Sequence, residues 1–451
     1  MKFSTLPLPK EMLDNLDSLG YKKMTPIQAE ALPIILDNKD VIAQAKTGSG
    51  KTAAFGIGLL NRLDVKKFRV QSLVLCPTRE LADQVAKELR KIARFKHNIK
   101  ILILCGGESF GKQLGSLSHQ AHIIVGTPGR VLKHLNKDSL NLENLETLVF
   151  DEADRMLDMG FMEEIQSVLE YVPAQRQTLL FSATYDNEII EISKKIQQKA
   201  VSVKTVSTES ANKIDEYFYE VSSKQDALIK IFSTFAPENV IVFTNTKIEA
   251  KELAENLQKV NIDAIAIHGD LEQYERNDVL VQFANKSCPI LVATDVAARG
   301  LDIKELSMVV NYDIPHGSET YTHRIGRTGR AGADGIAITL YNSYEIDKAD
   351  EYKNESRNFE SENTLKVKAG FEMKPQYVTL VIEGGKKDKI RAGDLLGALT
   401  GDAGLKGSSI GKIDIYDRQS YVAIERVLIK EAHAQLSKGK IKGKKFSVWI
   451  L

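Results

Sequence analysis

The run from Ala45 to Thr52, AKTGSGKT, combines the residue types that bind phosphate groups. Its glycines allow backbone N–H groups and the start of a helix to close around phosphates, Lys51 supplies charge to the β and γ oxygens, and the Thr52 hydroxyl can hold Mg²⁺. Ala45 replaces the first glycine of the Walker A pattern, and an ordinary glycine-rich turn is the alternative interpretation. The residues predicted to contact a nucleotide here are Ala45, Thr47, Gly48, Ser49, Gly50, Lys51 and Thr52.

The segment Asp151-Glu152-Ala153-Asp154 places three carboxylates directly after the apolar run Leu145–Phe150. Carboxylates at the C-terminal end of a parallel strand lie where α/β sheets bind ligands, so we expect Asp151 to reach Mg²⁺ and Glu152 to orient an attacking water. Alone, such a cluster is usually a solvated turn. Together with a phosphate-binding loop roughly 100 residues upstream it indicates an NTPase, which needs both a phosphate cradle and a metal carboxylate.

A basic series from Tyr321 to Arg330 carries arginines every three residues, at Arg324, Arg327 and Arg330. On a helix this spacing would give one cationic strip, and a solvated basic helix is the more frequent outcome for such a series alone. In a chain with a phosphate-binding loop, however, guanidinium groups can stabilise charge on a transferring γ-phosphoryl group. We therefore predict that Arg327 and Arg330 are catalytic and complete the site only when two domains close.

The elements that must position these residues are short apolar runs that alternate with helical patterns. This alternation predicts parallel sheets covered by helices on both faces. A polar stretch near residues 201–212 separates two such series, which predicts two tandem α/β domains that end near residues 205 and 345. The predicted strands are Val70–Leu75, Ile99–Leu104, His122–Val125, Leu145–Phe150, Thr178–Phe181, Val240–Phe243, Ala264–Ile267, Ile290–Ala293 and Met308–Asn311.

The C-terminal part of the chain has a different pattern. Residues 346–374 are predicted mainly as a solvated connector, because the stretch from Glu345 to Thr364 is acidic and poor in aliphatic side chains. The order beyond it is β-α-β-β-α-β, which is ferredoxin-like, the arrangement that RNA-recognition motifs use. Its predicted elements are the strands Tyr377–Ile382, Gly411–Ile415, Ser420–Ile424 and Phe446–Ile450 and the helices Ala392–Leu399 and Glu425–Leu436.

The net charge of +1 hides two oppositely charged parts. Residues 1–365 hold 44 Lys and Arg against 51 Asp and Glu, whereas residues 366–451 hold 17 against 9, which favours a tail that binds a polyanion. Cys76, Cys105 and Cys288 stand far apart in apolar surroundings and predict structural thiols, not a metal site. No run approaches a membrane span, so we expect a cytoplasmic protein.

Over residues 1 to about 345 the chain resembles the DEAD-box helicases. Besides the two segments that bind phosphate and metal, the motifs of this family occur in their expected order. They are Gly20-Tyr21 with Thr25-Pro26-Ile27-Gln28, Pro77-Thr78-Arg79-Glu80-Leu81, Gly106-Gly107, Thr127-Pro128-Gly129-Arg130, Ser182-Ala183-Thr184, Val242-Phe243-Thr244-Asn245, Gln273 with Arg276, Ala293-Thr294-Asp295 and Arg299-Gly300-Leu301-Asp302.

This resemblance implies two RecA-like parallel-sheet domains, at residues 1–205 and 206–345, that bind ATP and Mg²⁺. It implies that Gln28 recognises adenine, Tyr21 packs on its ring and Asp302 contacts the ribose. It also implies that Asp154, Ser182, Thr184 and His323 couple hydrolysis to RNA binding. The residues implied to contact the RNA backbone are Pro77, Thr78, Arg79, Gly107, Thr127, Arg130 and Thr294.

Residues 375–451, an RRM-like domain, resemble the C-terminal RNA-binding domain of the DbpA family of bacterial helicases. This implies that large-subunit (23S) ribosomal RNA and pre-ribosomal particles are the partners. The presumed central strands offer only Tyr421 as a stacking aromatic, so base stacking on the sheet is not expected. Lysines before the last strand are better candidates for contacts with structured RNA: Lys442, Lys444 and Lys445.

The sequence therefore predicts a monomeric ATP-dependent RNA helicase that acts in assembly of the large ribosomal subunit. Two alternatives remain open at this stage. An ATP-dependent RNA clamp would bind or hydrolyse ATP without separating strands, and a DNA helicase would be stimulated by DNA.

Overall fold

The computed structural model describes residues 1–45, 48–185, 187–205, 214–298, 306–329, 334–368, 370–402 and 404–451. These residues form two compact units, one within residues 1–205 and the other within residues 214–451. Thr47, Asp302 and Arg330, which the sequence predicts for the nucleotide site, lie outside the described residues. Within the described ranges, no helix is long and apolar enough to cross a membrane.

The first unit is a seven-stranded parallel sheet in the order β3-β4-β2-β5-β6-β1-β7. Its strands are β1 Val41–Gln44, β2 Ser72–Leu75, β3 Ile101–Leu104, β4 Ile123–Gly126, β5 Thr147–Asp151, β6 Gln177–Ser182 and β7 Val201–Lys204. Its helices are α1 Lys10–Ser18, α2 Pro26–Leu36, α3 Lys51–Arg62, α4 Arg79–Ile92, α5 Phe110–Leu117, α6 Pro128–Leu135, α7 Ala153–Asp158, α8 Met162–Leu169 and α9 Asn187–Ile196.

The second unit contains another seven-stranded parallel sheet, in the order β10-β11-β9-β12-β13-β8-β14. Its strands are β8 Ile214–Glu220, β9 Val240–Thr244, β10 Ala264–Ile267, β11 Ile290–Thr294, β12 Met308–Asn311, β13 Gly335–Tyr341 and β14 Arg357–Ser361. Its helices are α10 Lys224–Phe235, α11 Lys247–Lys259, α12 Gln273–Ala284, α13 Asp295–Ala298, α14 Ser318–Ile325 and α15 Ile346–Asp350.

The C-terminal domain, also in the second unit, is an antiparallel sheet in the order β16-β17-β15-β18. Its apolar core lies between one face of this sheet and two helices, with Leu380, Ile382, Val422 and Ile424 all buried. The strands are β15 Tyr377–Ile382, β16 Ile410–Ile415, β17 Ser420–Glu425 and β18 Val448–Ile450, and the helices are α16 Ala392–Gly397 and α17 Ile429–Lys438.

The central strands follow from their sequences, because continuous apolar runs suit strands that are covered on both faces. Strands β2, β4 and β5 are buried at every position. The predicted fold class, two parallel-sheet domains and a small ferredoxin-like domain, is confirmed. Most predicted strands agree within two residues with those of the structure.

Besides β14, four strands differ from the sequence prediction. Strand β1 lies in a short apolar run that is not among the predicted strands, and β7 lies in the stretch predicted as a polar separator. Strands β8 and β13 have no counterpart among the predicted strands. Strand β8, IDEYFYE, mixes charged and aromatic side chains and stands next to the edge strand β14. It has neither a continuous apolar run nor a strict alternation, which are the two patterns that identify a strand from sequence.

The connector predicted for residues 346–374 is more structured than expected. It contains helix α15 and strand β14, which pairs in parallel with β8 over five residues and stacks Phe359 on Phe218 with 4.6 Å between ring centroids. Arg357 Nε also donates to Glu216 Oε2 at 2.6 Å. Edge strands need only one apolar face, so an acidic composition does not exclude a strand here.

Candidate nucleotide and RNA sites

Lys51 begins helix α3, at the C-terminal end of β1, and its side chain is buried with Nζ donating to the Ala45 carbonyl at 2.9 Å. Gly50, at the helix N-cap, has φ 93°, and a Cβ there would stand 2.4 Å from Gln28 Nε2. Only glycine therefore fits this position. The turn at Gly50 and the N-terminus of α3 lie where the sequence predicts a phosphate cradle.

Gln28 fixes the other side of this loop. Its Nε2 donates to the Gly50 carbonyl at 3.1 Å, and its Oε1 accepts from the Thr25 N–H at 3.0 Å, which completes a capping box at the start of α2. Tyr21 lies half-buried edge-on to Phe3, and its hydroxyl donates to Glu88. Gln28 thus links the segment implied to read adenine to the phosphate loop.

Asp151 ends strand β5 and is 2% exposed. Burial raises the pKa of its carboxyl group to about 6, although Lys51 favours the charged form. Among the described residues none donates to Asp151 Oδ1, and the buried hydroxyls of Ser49 and Ser182 also have no partner. A buried carboxylate oxygen without a donor is stabilised by a cation, so the residues present fit Mg²⁺.

Glu152 has a left-handed backbone with φ 54°, which turns the chain sharply from β5 into α7. Its carboxylate pairs with Arg155 at 2.7 Å, and both side chains are buried. Sequence reasoning missed Arg155, although a basic residue three positions after an acidic one on a helix predicts such a pair. Arg155 holds the carboxylate in place without a metal or a nucleotide.

Asp154 connects the acidic segment to the end of β6. Its Oδ2 accepts from the backbone N–H groups of Ala183 at 2.9 Å and Thr184 at 3.1 Å, and its Oδ1 accepts from the Arg155 N–H. The structure therefore brings together Asp154 and the segment Ser182–Thr184, for which the family resemblance implies a coupling role. These hydrogen bonds link the two segments directly.

Three loops predicted to contact the RNA backbone meet at the C-terminal ends of the adjacent strands β3, β4 and β2. Thr78 caps helix α4 through its hydroxyl, and Arg79 pairs with Glu108 at 3.0 Å. Arg130, in the first turn of α6, donates to the Glu108 carbonyl at 3.0 Å. Pro77, Gly107 and Thr127 lie in the same three loops.

Gln113 was missed by sequence reasoning. It is buried on helix α5, where its Oε1 accepts from Arg130 Nη1 at 2.8 Å and its Nε2 donates to the Cys105 carbonyl at 3.0 Å. His134 also contacts Gln113 Oε1, at 3.0 Å, and stacks on Phe110. Gln113 thus joins the loop after β3 to Arg130.

The second unit contains an arginine network. Arg324 is 1% exposed and forms a bidentate pair with Asp295, at 2.7 and 2.6 Å. It also donates to Asn245, Asn311 and the Asp313 carbonyl. These contacts join the ends of β9, β11 and β12, and they place Thr294 at the end of β11 beside the network.

Helix α14 does not extend through the arginine series, so Arg324 and Arg327 do not share one helical strip. Helix α14 ends at Ile325, before Gly326, so Arg327 follows the helix and is itself buried, while His323 lies in the last turn. Glycine has a low helix propensity, so the helix ends before Gly326. Arg324 is buried and therefore cannot be part of an exposed cationic strip. The catalytic role of Arg327 stays a prediction.

Tyr421, the aromatic residue that the sequence offers for stacking, is 3% exposed. Its hydroxyl donates to Asp278 of helix α12 at 2.7 Å. The candidate lysines of the same domain, in contrast, are exposed, and Lys442 donates to the Lys389 carbonyl at 2.9 Å. Besides Lys442, Lys444 and Lys445, the exposed basic residues of the neighbouring segments 386–391 and 438–440 are Lys386, Lys387, Lys389, Arg391, Lys438 and Lys440.

Comparisons with known proteins agree with this arrangement. Residues 25–192 match the DEAD/DEAH box helicase family, residues 223–332 the helicase conserved C-terminal domain, and residues 379–450 the DbpA RNA binding domain. The chain is 50% identical over 462 aligned positions to the ATP-dependent RNA helicase DbpA of Escherichia coli, covering 100% of this chain and 99% of that protein.

Two further relatives match the helicase portion. The DEAD-box ATP-dependent RNA helicase CshA of Geobacillus kaustophilus is 47% identical over 76% of this chain and 74% of its own. The structure of S. cerevisiae Dbp5 bound to RNA and ADP BeF3 matches with a TM-score of 0.72 and 31% identity, over 80% of this chain and 96% of that one.

Proposed function

We propose, from the premise that this chain belongs to the DEAD/DEAH box family of ATP-dependent RNA helicases, that it locally unwinds duplexes in large-subunit (23S) ribosomal RNA during assembly of the large ribosomal subunit. The observation that carries the target is the basic C-terminal domain, which matches the DbpA RNA binding domain over residues 379–450. We further propose that the protein acts as a cytoplasmic monomer on pre-ribosomal particles.

The nucleotide site would hold ATP with Mg²⁺. Asp151 and the Thr52 hydroxyl would hold the ion, which supplies positive charge to the phosphates when they leave solvent. Lys51 exchanges the Ala45 carbonyl for phosphate oxygens, and Gln28 places the loop against adenine. Glu152, held by Arg155, orients the attacking water, because its carboxylate stands at the strand end next to Asp151.

The helicase portion would grip RNA through sugar and phosphate. Hydroxyl groups, backbone N–H groups and arginines at strand ends suit phosphate oxygens and read no bases. Thr78, Arg79, Gly107, Thr127 and Arg130 supply these groups in the first unit, and Thr294 does so in the second. Such a grip leaves the choice of RNA to another part of the chain.

The exposed lysines of the C-terminal domain would supply that choice. They lie between β15 and α16, at the end of α17 and in the segment before β18, which Lys444 and Lys445 precede directly. Structured RNA is recognised largely by shape and by phosphate contacts, which requires exposed cations more than stacking aromatics. The helicase would thereby be held near a ribosomal RNA hairpin while its other domains act on nearby duplexes.

The test is to measure ATPase activity and strand separation with a peptidyl-transferase-region hairpin of 23S ribosomal RNA joined to a short duplex. A scrambled hairpin and a DNA duplex serve as controls. We expect strong stimulation and strand separation only with the ribosomal hairpin. ATPase activity without strand separation would identify a clamp, equal activity with DNA would identify a DNA helicase, and equal stimulation by both hairpins would contradict the proposed target.

A further inference from the structure

The C-terminal domain has two sheet faces, and only one of them packs on its own helices. The other face carries Val381, which aligns with Tyr421 on β17 and with Trp449 on β18 in one row across three strands. In RNA-recognition motifs this is the face on which bases stack on aromatic side chains. Here Val381 is 0% and Tyr421 3% exposed.

Helix α12 of the second helicase domain covers this row. Val281 forms one apolar cluster with Val381 and Tyr421, against which Trp449 and Leu451 pack. Asp278 accepts from the Tyr421 hydroxyl at 2.7 Å, one turn before Val281. The face that would stack bases is therefore already occupied by protein.

Polar contacts surround the apolar cluster. Asn285, after the last turn of α12, donates to Thr379 Oγ1 at 2.9 Å, and both side chains are buried. Arg426, which follows β17, pairs with Asp263, which precedes β10, at 2.6 Å. An apolar centre with satisfied polar groups around it is the composition of a specific interface.

The docked side chains lie on one face of α12, because residues 278, 281 and 285 are spaced by three and four positions. The same helix carries Arg276 in its first turn, and Arg276 Nη2 donates to the Ala297 carbonyl at 3.2 Å. Ala297 belongs to α13, which directly follows Thr294, and Asp295 at the start of α13 holds Arg324. A continuous series of contacts thus runs from the C-terminal sheet to the end of β11.

We infer that the sheet of the C-terminal domain is a docking face for helix α12, and that docking positions the end of β11 for gripping RNA. Val281, Asp278 and Asn285 are then positioning residues, which act through Arg276 and the α13 backbone. This inference rests on the RNA-gripping role proposed for Thr294. RNA bound by the C-terminal domain must use surfaces other than this sheet face.

The only tryptophan of the chain, Trp449, reports docking directly. The test compares the full chain with its Val281→Asp variant, which buries a charge in the apolar cluster. We expect Trp449 emission to move to longer wavelength and amide hydrogen exchange to rise in α12 and α13. The concentration of oligoadenylate RNA that half-stimulates the ATPase should rise roughly threefold or more, with the KM for ATP unchanged.

Matched variants separate docking from folding. Val367→Asp makes the same change at a 55%-exposed site in the same unit and should alter none of these readouts. Val281→Ile keeps the apolar contact and should behave like the wild type. Tyr421→Phe removes only the hydroxyl that contacts Asp278, so it should shift all readouts in the same direction by a smaller amount. It takes the place of Val281→Asp if that variant fails to fold.

Two results would overturn the inference. The first is unchanged Trp449 emission and hydrogen exchange in Val281→Asp, which would mean that α12 does not depend on this face. The second is a shifted emission with an unchanged RNA half-saturation, which would mean that docking does not position the RNA grip. If RNA failed to stimulate even the wild-type ATPase, the proposed function would fail, while emission and exchange would still decide whether docking braces α12 and α13.

A titration of the wild-type full chain with the ribosomal hairpin tests the exclusion of RNA from the sheet. Binding should leave Trp449 emission unchanged, because helix α12 contributes Val281 to the apolar cluster against which Trp449 packs. Quenching or a shift on binding, with the loss of protection of α12 from hydrogen exchange, would show that RNA displaces the helix and would overturn the assignment.

Discussion

At the residue scale, the side chains of the candidate nucleotide site contact one another extensively. Lys51, Glu152 and Asp154 each have a protein partner, whereas one oxygen of Asp151 has none among the described residues. The strained turn at Glu152, with φ 54°, brings three carboxylates together at the end of β5 and the start of α7. The proposed division of roles, with Asp151 holding the metal and Glu152 orienting water, follows this difference in their partners.

Replacement of Glu152 by Gln should lower the ATPase kcat by roughly 10²-fold or more while leaving ATP affinity within a few-fold of wild type. The amide cannot accept the proton of the attacking water, but Asp151 still supports the ion. Steady-state ATPase rates and binding of a fluorescent ATP analogue measure the two effects. Glu163→Gln, an exposed change on α8, is the control, and wild-type turnover in Glu152→Gln would remove Glu152 from the mechanism.

Arg327→Ala and Arg330→Ala should each lower kcat by roughly 10²-fold or more with a smaller effect on ATP affinity, because the arginines act on charge that develops in the transition state. Single-turnover hydrolysis and equilibrium ATP binding distinguish the two effects. Arg94→Ala, at an exposed site of the first unit, is the control. Full activity with both arginines replaced would mean that this segment serves only the fold.

The nucleotide motifs were predictable from sequence because their residues are close together along the chain. Ala45–Thr52 and Asp151–Asp154 each define a local turn after a strand. The buried network of Arg324 was not predictable, since its partners Asp295 and Asn311 belong to α13 and β12 and meet it only in the folded domain. The contacts of Gln113 were not predictable for the same reason, because its partners come from the loop after β3 and from α6.

At the scale of elements, helix α5 braces two loops of the first unit that are predicted to contact RNA. Replacement of Gln113 by Leu keeps the side-chain volume but leaves Arg130 and His134 without a buried acceptor. We expect the RNA concentration for half-maximal ATPase stimulation to rise roughly 3- to 10-fold, in line with removal of a buried hydrogen bond to a charged group. The kcat at saturating RNA should stay within about twofold of the wild-type value.

Gln175→Leu, at an exposed turn of the same unit, is the matched control for this change. Thermal unfolding of both variants distinguishes a loss of protein stability from a loss of RNA affinity. An unchanged RNA half-saturation in a folded Gln113→Leu protein would mean that Arg130 needs no support from α5.

The lysine loop before β18 should set the salt dependence of RNA binding. Replacing Lys442, Lys444 and Lys445 together by Gln should reduce the slope of log affinity against log salt by up to roughly 0.9 for each phosphate that the lysines neutralise. Lys442 should contribute least, because it already donates to the Lys389 carbonyl and lies 3.5 Å from Asp394. Fluorescence anisotropy of the full chain with the ribosomal hairpin, across a salt series, measures the slope.

A matched triple replacement of the exposed residues Lys194, Lys195 and Lys199 controls for the change in net charge. Equal slopes in the two triple variants would place the phosphate contacts elsewhere. The sequence identified these lysines by their charge, but it could not show that the sheet face with Tyr421 is covered. That fact depends on helix α12, whose Asp278 lies 143 residues before Tyr421 in the chain.

At the scale of the whole molecule, specificity and motor activity are predicted to reside in different domains. A chain cut after residue 370 should keep an ATPase that any RNA stimulates weakly, without preference for the ribosomal hairpin. The cut also exposes Val281, so solubility and thermal stability should fall. ATPase stimulation by the ribosomal and scrambled hairpins measures the change in preference.

The same truncation with Val281→Lys restores a polar surface and separates loss of specificity from aggregation. A truncated motor that still prefers the ribosomal hairpin would place recognition in residues 1–370. The three-domain order and the acidic and basic parts were predictable because they follow from composition and periodicity. Strand β14 was not, since its partner β8 is distant in sequence: Arg357 of β14 aligns with Glu216 of β8.

The separation of the docking face from the lysine loops has a consequence for evolution and for engineering. Val381, Tyr421 and Trp449 hold the C-terminal domain against helix α12, whereas the loops around residues 386–391 and 438–445 contribute no residue to this apolar cluster. Mutations of the exposed side chains in these loops can therefore accumulate without loosening the domain, whereas Ile390 and Ile441 belong to its buried core. A library confined to these loops should retarget the enzyme to new RNA hairpins while its motor remains unaltered.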